Sequence, residues 1–213
     1  MNRFVLALIL AALALLPAGR VFAHPHAWIT VKVEVRFDQA GAITGLREIW
    51  LFDEAYTAFA VEGLGRAGKG PSAAQLAELL AVNMTNLEEY DFFTRVKSNG
   101  APVKIGKATD ASSRLRGSRL EMSFSVTFVE PVPVDAGAFS YAIFDPTYYI
   151  EMLHAEAGDA ITLIGAPAGC KPRIDNPAPN PDTVSLAYAL DATQSAGDTL
   201  GEAFAEWVTI QCG

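Results

Sequence analysis

Histidine and cysteine are scarce in this chain, whose 213 residues include three histidines and two cysteines. Metal or thiol chemistry therefore has few candidate residues, and a cysteine-rich disulfide scaffold is excluded. Basic residues are also in the minority, with 16 Lys and Arg against 24 Asp and Glu and a formal net charge of −8. Because an acidic chain has no long-range positive field for a phosphate backbone, we expect no nucleic-acid partner.

Long hydrophobic runs are absent except at the amino terminus. Residues 1–23 begin with Arg3, continue through an apolar run over 4–16 and end in a small-residue cleavage pattern at Ala23. This layout predicts a secretory signal peptide, and the run is shorter than the ~20 residues that span a bilayer. We therefore expect the mature chain, residues 24–213, to be one exported periplasmic domain that is not inserted in the membrane.

The two cysteines, Cys170 and Cys212, form an even pair in a chain predicted to be exported. In an oxidising compartment such a pair predicts a disulfide, and the spacing has no metal-ligand character. The bridge would link the carboxy-terminal tail to the proline-rich residues 167–181 and close a loop of roughly 40 residues.

The mature chain begins with a β-hairpin pattern. From residue 28 to residue 37 apolar and polar side chains alternate, which is typical of a half-buried strand. A turn pattern over 38–41 precedes a second predicted strand over 43–52. The most regular helix is predicted over 73–91, which opens on a capping-box pattern at 72–75.

The remaining segments have weaker patterns. They predict a short helix over 53–63, strands over 92–97 and 103–107 around the Asn99-Gly100 turn, strands over 119–129, 139–150 and 161–164, an extended proline-rich loop over 167–182, and an element of undefined type over 199–211. Together these elements predict an α+β fold, a single domain rich in antiparallel sheet with one principal helix.

Two of the three histidines lie at the predicted start of the mature chain. Cleavage after Ala23 makes His24 the first residue, with His26 two residues further on. If a strand begins here, both imidazoles lie on one face and can bind one metal ion together with the α-amine. Such nitrogen ligands favour Zn, Ni, Co or Cu over Mg or Ca.

Pro25 has no amide proton to release, which blocks a square-planar chelate through backbone amides. The competing interpretation is a solvated pair of terminal histidines.

Three further residues are candidate metal ligands. Asp53 and Asp145 each follow a strand-like segment that ends in an aromatic residue, so that their carboxylates can reach a neighbouring strand end. Asp53 could equally cap the helix that follows it, and Asp145 could start a turn. His154 lies three residues after Glu151 and would share a helical face with it. A surface or half-buried histidine explains His154 as well.

Three segments carry a family resemblance: 24–29 (HPHAWI), 50–54 (WLFDE) and 144–149 (FDPTYY). On these the chain resembles an uncharacterised family of exported bacterial proteins whose mature chains open with His-Pro-His-Ala-Trp. That domain family of unknown function is labelled as the periplasmic component of an uncharacterised ABC-type transport system, and the resemblance covers essentially the whole mature chain. Genes of the family often lie beside nickel/cobalt exporter-type permeases, so the resemblance implies divalent-metal handling with a metal-transport permease as partner. It implies no catalytic residues.

We therefore expect a periplasmic accessory protein of a metal transport or efflux system, and not an enzyme. It would bind a divalent transition metal, Zn, Ni, Co or Cu, through His24 and His26, with Asp53, Asp145 and His154 as further ligands. One alternative is a metal-free binding or assembly module of an export apparatus. The other is a copper oxidoreductase with a histidine brace, in which His154 would have to supply the second histidine.

Overall fold

The computed structural model describes residues 25–65, 70–134, 138–156, 158–190, 197 and 199–213.

Two long strands near the start of the chain form the centre of the first sheet. Strands β1 (Ala27–Phe37) and β2 (Ala42–Phe52) pair antiparallel. The apolar side chains of β1, from Ile29 to Val35 at every second position, are buried. The hairpin predicted from the alternating pattern is therefore confirmed, whereas the predicted signal peptide and His24 lie outside the described residues.

In the part of the chain that the structure describes, eleven strands form two sheets. The other nine are β3 (Thr94–Ser98), β4 (Ala101–Pro102), β5 (Ile105–Arg116), β6 (Arg119–Pro133), β7 (Phe139–Ile143), β8 (Ile150–His154), β9 (Ile161–Ile164), β10 (Lys171–Asp175) and β11 (Trp207–Gln211). The first sheet has the order β5-β6-β2-β1-β8, with β9 also paired to β1, and the second has the order β10-β11-β7-β3-β4. Only β8 and β9 pair parallel, both with β1.

The helices described are α1 (Glu54–Ala60), α2 (Ala73–Glu88) and α3 (Pro181–Ala189). The longest is α2, and it begins with the predicted capping box: the Ser72 side chain accepts from the Gln75 N–H, and the Gln75 side chain accepts from the Ser72 N–H. Leu76 and Leu80 of α2 are buried in the core. The α+β fold class with one principal helix is thus confirmed.

The core lies between the two sheets and is rich in aromatic rings. Trp50 of β2 stacks on Phe93 with ring centroids 6.1 Å apart and meets Phe124 of β6 edge-on at 5.0 Å. Phe128 of β6 and Phe139 of β7 lie 5.9 Å apart and so join one sheet to the other. Such ring pairs stabilise a core beyond the area they bury.

Several predicted boundaries are wrong because they depend on distant partners. The predicted strand over 139–150 is two strands, β7 and β8, on different sheets. The proline-rich segment over 167–182 contains β10, because β11 supplies its hydrogen-bond partners. Strand β5 continues to Arg116 through polar residues that have no alternating pattern, since β6 pairs with it along most of its length. The undefined segment over 199–211 contains a 3₁₀ turn followed by β11.

The predicted disulfide is present between Cys170 and Cys212. It joins the residue before β10 to the residue after β11, beside the antiparallel pair Lys171 and Gln211. No helix in the described ranges is long and apolar enough to cross a membrane.

Removal of this disulfide by Cys170→Ser together with Cys212→Ser is expected to lower the free energy of unfolding. The bond closes a loop with a sequence separation of 42 residues, so its loss enlarges the unfolded ensemble and costs about 3–4 kcal/mol. Urea denaturation followed by tryptophan fluorescence measures the change. Reduction of the wild-type protein should reproduce it, and an unchanged unfolding midpoint in both cases would contradict the expectation.

Candidate functional site

The start of β1 lies beside the start of β8, and this contact positions His26. The His26 N–H donates to the Tyr149 carbonyl at 2.8 Å, which continues the β1–β8 pairing one step outward from Ala27 and Ile150. The two rings are 4.6 Å apart between centroids. The side chain of His26 is therefore held against an aromatic ring at the edge of the first sheet.

Asp53 joins α1 to the same end of β1. Its Oδ1 accepts from the Tyr56 N–H at 2.8 Å and its Oδ2 accepts from the Trp28 N–H at 2.9 Å. The Asp53 N–H in turn donates to the Trp28 carbonyl at 2.9 Å. Both carboxylate oxygens thus satisfy backbone donors, and the helix-capping alternative for Asp53 is confirmed.

Tyr56 completes this corner. Burial raises the pKa of the Tyr56 phenol, and the nearby Tyr149 and Asp53 raise it further. The Tyr56 backbone N–H also donates to Asp53, which caps α1. We call the group His26, Asp53, Tyr56 and Tyr149 the N-terminal corner.

Asp145 organises the turn that leads into β8. Its Oδ1 accepts from both the backbone N–H and the hydroxyl of Thr147, at 2.9 and 2.8 Å, and its Oδ2 accepts from the Ile150 N–H at 3.0 Å. The side chain is buried, with 5% of the residue exposed. The turn alternative for Asp145 is therefore confirmed, and the carboxylate fixes the strand that contacts His26 without itself facing solvent.

His154 lies at the opposite end of β8 from this corner. It pairs with Val31, whereas Ile150 pairs with Ala27, so four residues of strand, ~13 Å, separate the two register positions. The predicted helical face shared with Glu151 is wrong, because β1 pairs with this segment and makes it a strand. The structure thus brings His26, Asp53 and the turn of Asp145 to one edge and leaves His154 deeper in the molecule.

The His154 ring belongs to a different polar cluster. Glu206 Oε2 lies 2.7 Å from the His154 backbone nitrogen and 2.9 Å from Nδ1. Burial opposes ionisation of Glu206, but the side-chain and backbone hydrogen bonds from His154 outweigh it and lower the pKa of that carboxyl. Because an ionised carboxylate only accepts, Nδ1 carries a proton, and in the neutral ring Nε2 accepts from the Tyr141 hydroxyl at 3.3 Å.

A second buried acid, Glu48, lies against Trp50 and Thr94. Glu48 is fully buried between the sheets. Its Oε2 accepts from Trp50 Nε1 at 2.9 Å, and its Oε1 is 2.7 Å from the Thr94 hydroxyl. That hydroxyl also lies 3.0 Å from the Phe92 carbonyl, which can only accept. The Thr94 hydroxyl has one proton for these two oxygen atoms, so the arrangement favours the protonated form of Glu48 over the carboxylate.

Burial agrees with this protonated form. It raises the pKa of Glu48 to about 8, although the hydrogen bonds from Thr94 and Trp50 act in the opposite direction. Burial also raises the pKa of Tyr141 well above its ordinary value, and the acids Glu48 and Glu206 add to the shift. Burial therefore favours the neutral forms of the Glu48 acid and the Tyr141 phenol in the core.

Sequence reasoning did not find Glu48, Tyr141 and Glu206. One signal was available for Glu48, which shares the inward-facing positions of β2 with Trp50 and Phe52. No local signal marks Glu206, because its partner His154 is 52 residues away.

No group of three or more His, Cys, Asp or Glu side chains is arranged to hold a metal ion within the described ranges. The N-terminal corner offers one imidazole, that of His26, and one carboxylate, that of Asp53, which bonds to the backbone of Trp28 two residues after His26. His24 lies outside the residues that the structure describes, so the full predicted ligand set stays a prediction.

Comparison with known proteins gives a family and no activity. The profile of a family described as "Protein of unknown function (DUF1007)" matches residues 9–212. A protein of Haemophilus influenzae (strain ATCC 51907 / DSM 11121 / KW20 / Rd), named "Uncharacterized protein", is 25% identical over 201 residues, which cover 90% of this chain and 92% of that protein. No solved structure matches significantly.

The protonated state of Glu48 predicts a loss of stability as pH rises. The carboxyl has an ordinary pKa of 4.5 and a folded pKa of about 8, so its contribution is fully present below pH 4.5 and is lost as pH rises toward 8. Between pH 5 and 8 the expected decrease in the free energy of unfolding is on the order of 3 kcal/mol. Glu206, whose pKa is lowered, affects stability only at more acidic pH.

The variant Glu48→Gln isolates this effect, because an amide does not ionise and still offers an acceptor to Trp50 and a polar partner to Thr94. Urea denaturation of both proteins at pH 5 and pH 8 should show a strong pH dependence in the wild type and a weaker one in the variant. Equal pH dependence in the two proteins would mean that Glu48 is not protonated in the folded state.

Proposed function

This chain belongs to the DUF1007 family of proteins of unknown function, and we propose that it is a periplasmic accessory protein that binds a divalent transition metal for a transport or efflux system. The metal is Zn, Ni, Co or Cu, and the site is formed by His24 and His26 at the mature amino terminus. The signal-peptide pattern of residues 1–23 and the disulfide Cys170–Cys212 support export to an oxidising compartment.

The position of His26 is the observation that carries the proposal. Its backbone bonds to Tyr149 at 2.8 Å and its ring lies against the Tyr149 ring, so the first ligand is held at a defined place on the sheet edge. His24 is two residues earlier in the sequence, on the same side if the strand conformation continues. Two imidazoles and an α-amine are a ligand set that nickel, copper, cobalt and zinc accept.

The two candidate carboxylates have a supporting role in this proposal. Asp53 fixes the backbone of Trp28, two residues from His26, and Asp145 fixes the backbone of Ile150, beside Tyr149. Each carboxylate already accepts backbone hydrogen bonds, so we assign to both the positioning of the strand ends that carry the site. The imidazoles and the α-amine then supply the metal ligands.

The histidine-brace alternative receives less support from the arrangement of His154. Both ring nitrogens of His154 already contact protein groups, Nδ1 with Glu206 and Nε2 with Tyr141. The ring is also almost fully buried, with 3% of the side chain exposed. A second brace histidine would have to leave these contacts.

The metal-free assembly alternative is favoured by one observation. Trp28 and Tyr149 at the N-terminal corner are 48% and 41% exposed, and Leu153 further along β8 is 36% exposed. Exposed large apolar side chains that lie together are a feature of protein-binding surfaces. In this alternative the permease or another export component contacts the same edge, and the histidines do not bind metal.

Metal titration of the mature protein tests the proposal. The protein is produced by export, so that processing generates its natural amino terminus, and Zn, Ni, Co and Cu are titrated by isothermal calorimetry. We expect His26→Ala to weaken the tightest of these ions at least about tenfold, the loss of one good ligand. The matched control is His154→Gln, which removes a histidine outside the N-terminal corner and should leave metal affinity unchanged.

A second control extends the chain by one residue before His24. Weaker binding after extension would identify the α-amine as a ligand, whereas unchanged binding would assign the site to the side chains. If the wild-type protein binds none of the four ions below millimolar concentration, the metal proposal is wrong. The exposed edge with Trp28 would then favour the assembly module.

A further inference from the structure

The outer face of the first sheet carries a cluster of cations that neither the N-terminal corner nor the core uses. Lys32 of β1, Arg47 of β2, and Arg114 and Arg116 of β5 line a cavity of about 410 Å³. We call these four residues the basic face. They are four of the 16 Lys and Arg in a chain with 24 Asp and Glu, so the positive charge is concentrated on one surface of an acidic protein.

The strand register explains why this surface is concave. Lys32 pairs with Ile49, Ile49 with Ser123, and Ser123 with Ser112, which gives one row of side chains across β1, β2, β6 and β5. The two serines are small and occupy the β6 and β5 positions of this row, whereas the long cationic side chains of Lys32, Arg47, Arg114 and Arg116 line the same cavity. Ser123 is only 8% exposed although it is on the outer face of the sheet, because it forms the floor of the cavity.

The serine floor holds Arg47 in place without neutralising it. Arg47 Nη2 donates to Ser123 Oγ at 3.0 Å, and that hydroxyl lies 3.0 Å from Ser112 Oγ. Among the described residues no carboxylate lies within 4.0 Å of the Arg47 guanidinium. Arg47 lines the cavity and is hydrogen-bonded there to a neutral hydroxyl, with Glu34 opposite it in the β1–β2 register.

The two arginines of β5 share one carboxylate. Arg114 Nε donates to Glu121 Oε1 at 2.7 Å, and Arg116 Nη1 donates to Oε2 at 3.4 Å. The Glu121 side chain is 10% exposed, while those of Arg114 and Arg116 are 72% and 63% exposed. Since a guanidinium has five N–H donors, both arginines keep donors available for a further anion.

Lys32 has a partner at the margin of the cavity. Its Nζ is 2.5 Å from Asp159, whose side chain is 66% exposed. Glu121 and Asp159 thus pair with three of the four cations, while the residues that line the cavity are four cations and one carboxylate, a surplus of positive charge.

We propose that the basic face binds the phosphate group of a phosphate monoester, supplied either by a soluble metabolite or by a lipid headgroup. A phosphate monoester carries about −1.5 to −2 charge at pH 7 and three acceptor oxygens, which matches the surplus charge. The planar guanidinium fork of arginine binds phosphate oxygens in a bidentate manner. The hydroxyls of Ser112 and Ser123 lie on the cavity floor as further polar partners.

Two titrations at low ionic strength test this assignment and distinguish the two sources. Glycerol 3-phosphate is the soluble probe, measured by calorimetry, and vesicles of phosphatidylcholine with or without phosphatidic acid are the lipid probe, measured by co-sedimentation. We expect binding to at least one probe, weakened by added salt because the contacts lie near the surface. Binding to the soluble probe identifies a metabolite ligand, and binding to phosphatidic acid vesicles alone identifies a lipid.

The variants Arg47→Gln and Arg116→Gln should each weaken binding about tenfold, the loss of one charge-assisted contact. Arg116 is a useful second variant because its exposed side chain has little part in folding. Glu121→Gln should tighten binding, since it frees two guanidinium groups from a competing carboxylate. The matched control is Arg173→Gln on β10, which removes the same charge from an exposed arginine of the second sheet paired with Asp175.

Three results would overturn the proposal. They are binding of neither probe by the wild type, equal weakening by Arg47→Gln and Arg173→Gln, and weaker binding by a folded Glu121→Gln protein. If both arginine variants weaken binding equally, the probe is attracted by the overall surface charge and does not occupy a defined site. None of these results depends on metal binding at the amino terminus, so this site and the metal site can fail separately.

Discussion

Strand β1 is hydrogen-bonded along both of its edges, antiparallel to β2 and parallel to β8 and β9, and the other features of the molecule depend on this double pairing. It buries one face of β1 in the core and brings His26, just before the strand, against Tyr149. The parallel register also decides that His154 lies beside Val31 and not beside His26. A slip of one residue would reverse every side chain of β1 between core and solvent.

The inward face of this sheet contains more polar chemistry than a packed core requires. Glu48, Tyr141 and His154 are all buried between the sheets, and Glu206 joins them from the segment before β11. Each group finds a partner only because two sheets meet there, and burial favours a protonated Glu48 and a neutral Tyr141 phenol. Such a network is stable only when all its members are satisfied, which ties the ionisation of these groups to the correct packing of the sheets.

The outward face of the same sheet carries both proposed sites. His26 lies at the start of β1, and Lys32 lies further along the same strand within the basic face. One site offers imidazole nitrogens for a cation and the other offers guanidinium groups for an anion. Because their ligands have opposite charge and use different residues, the two sites are chemically independent although one strand contributes to both.

Local patterns in the sequence determined the elements whose stabilising interactions are themselves local. The alternation in β1, the capping box before α2, the Asn99-Gly100 turn and the helix-capping capacity of Asp53 act within a few residues of one another. Only the tertiary structure decided which strands pair, because those contacts join residues far apart in the chain and have no local signature. It therefore decided that His154 binds Glu206, that Glu48 is buried beside Thr94, and that four cations from three strands surround one cavity.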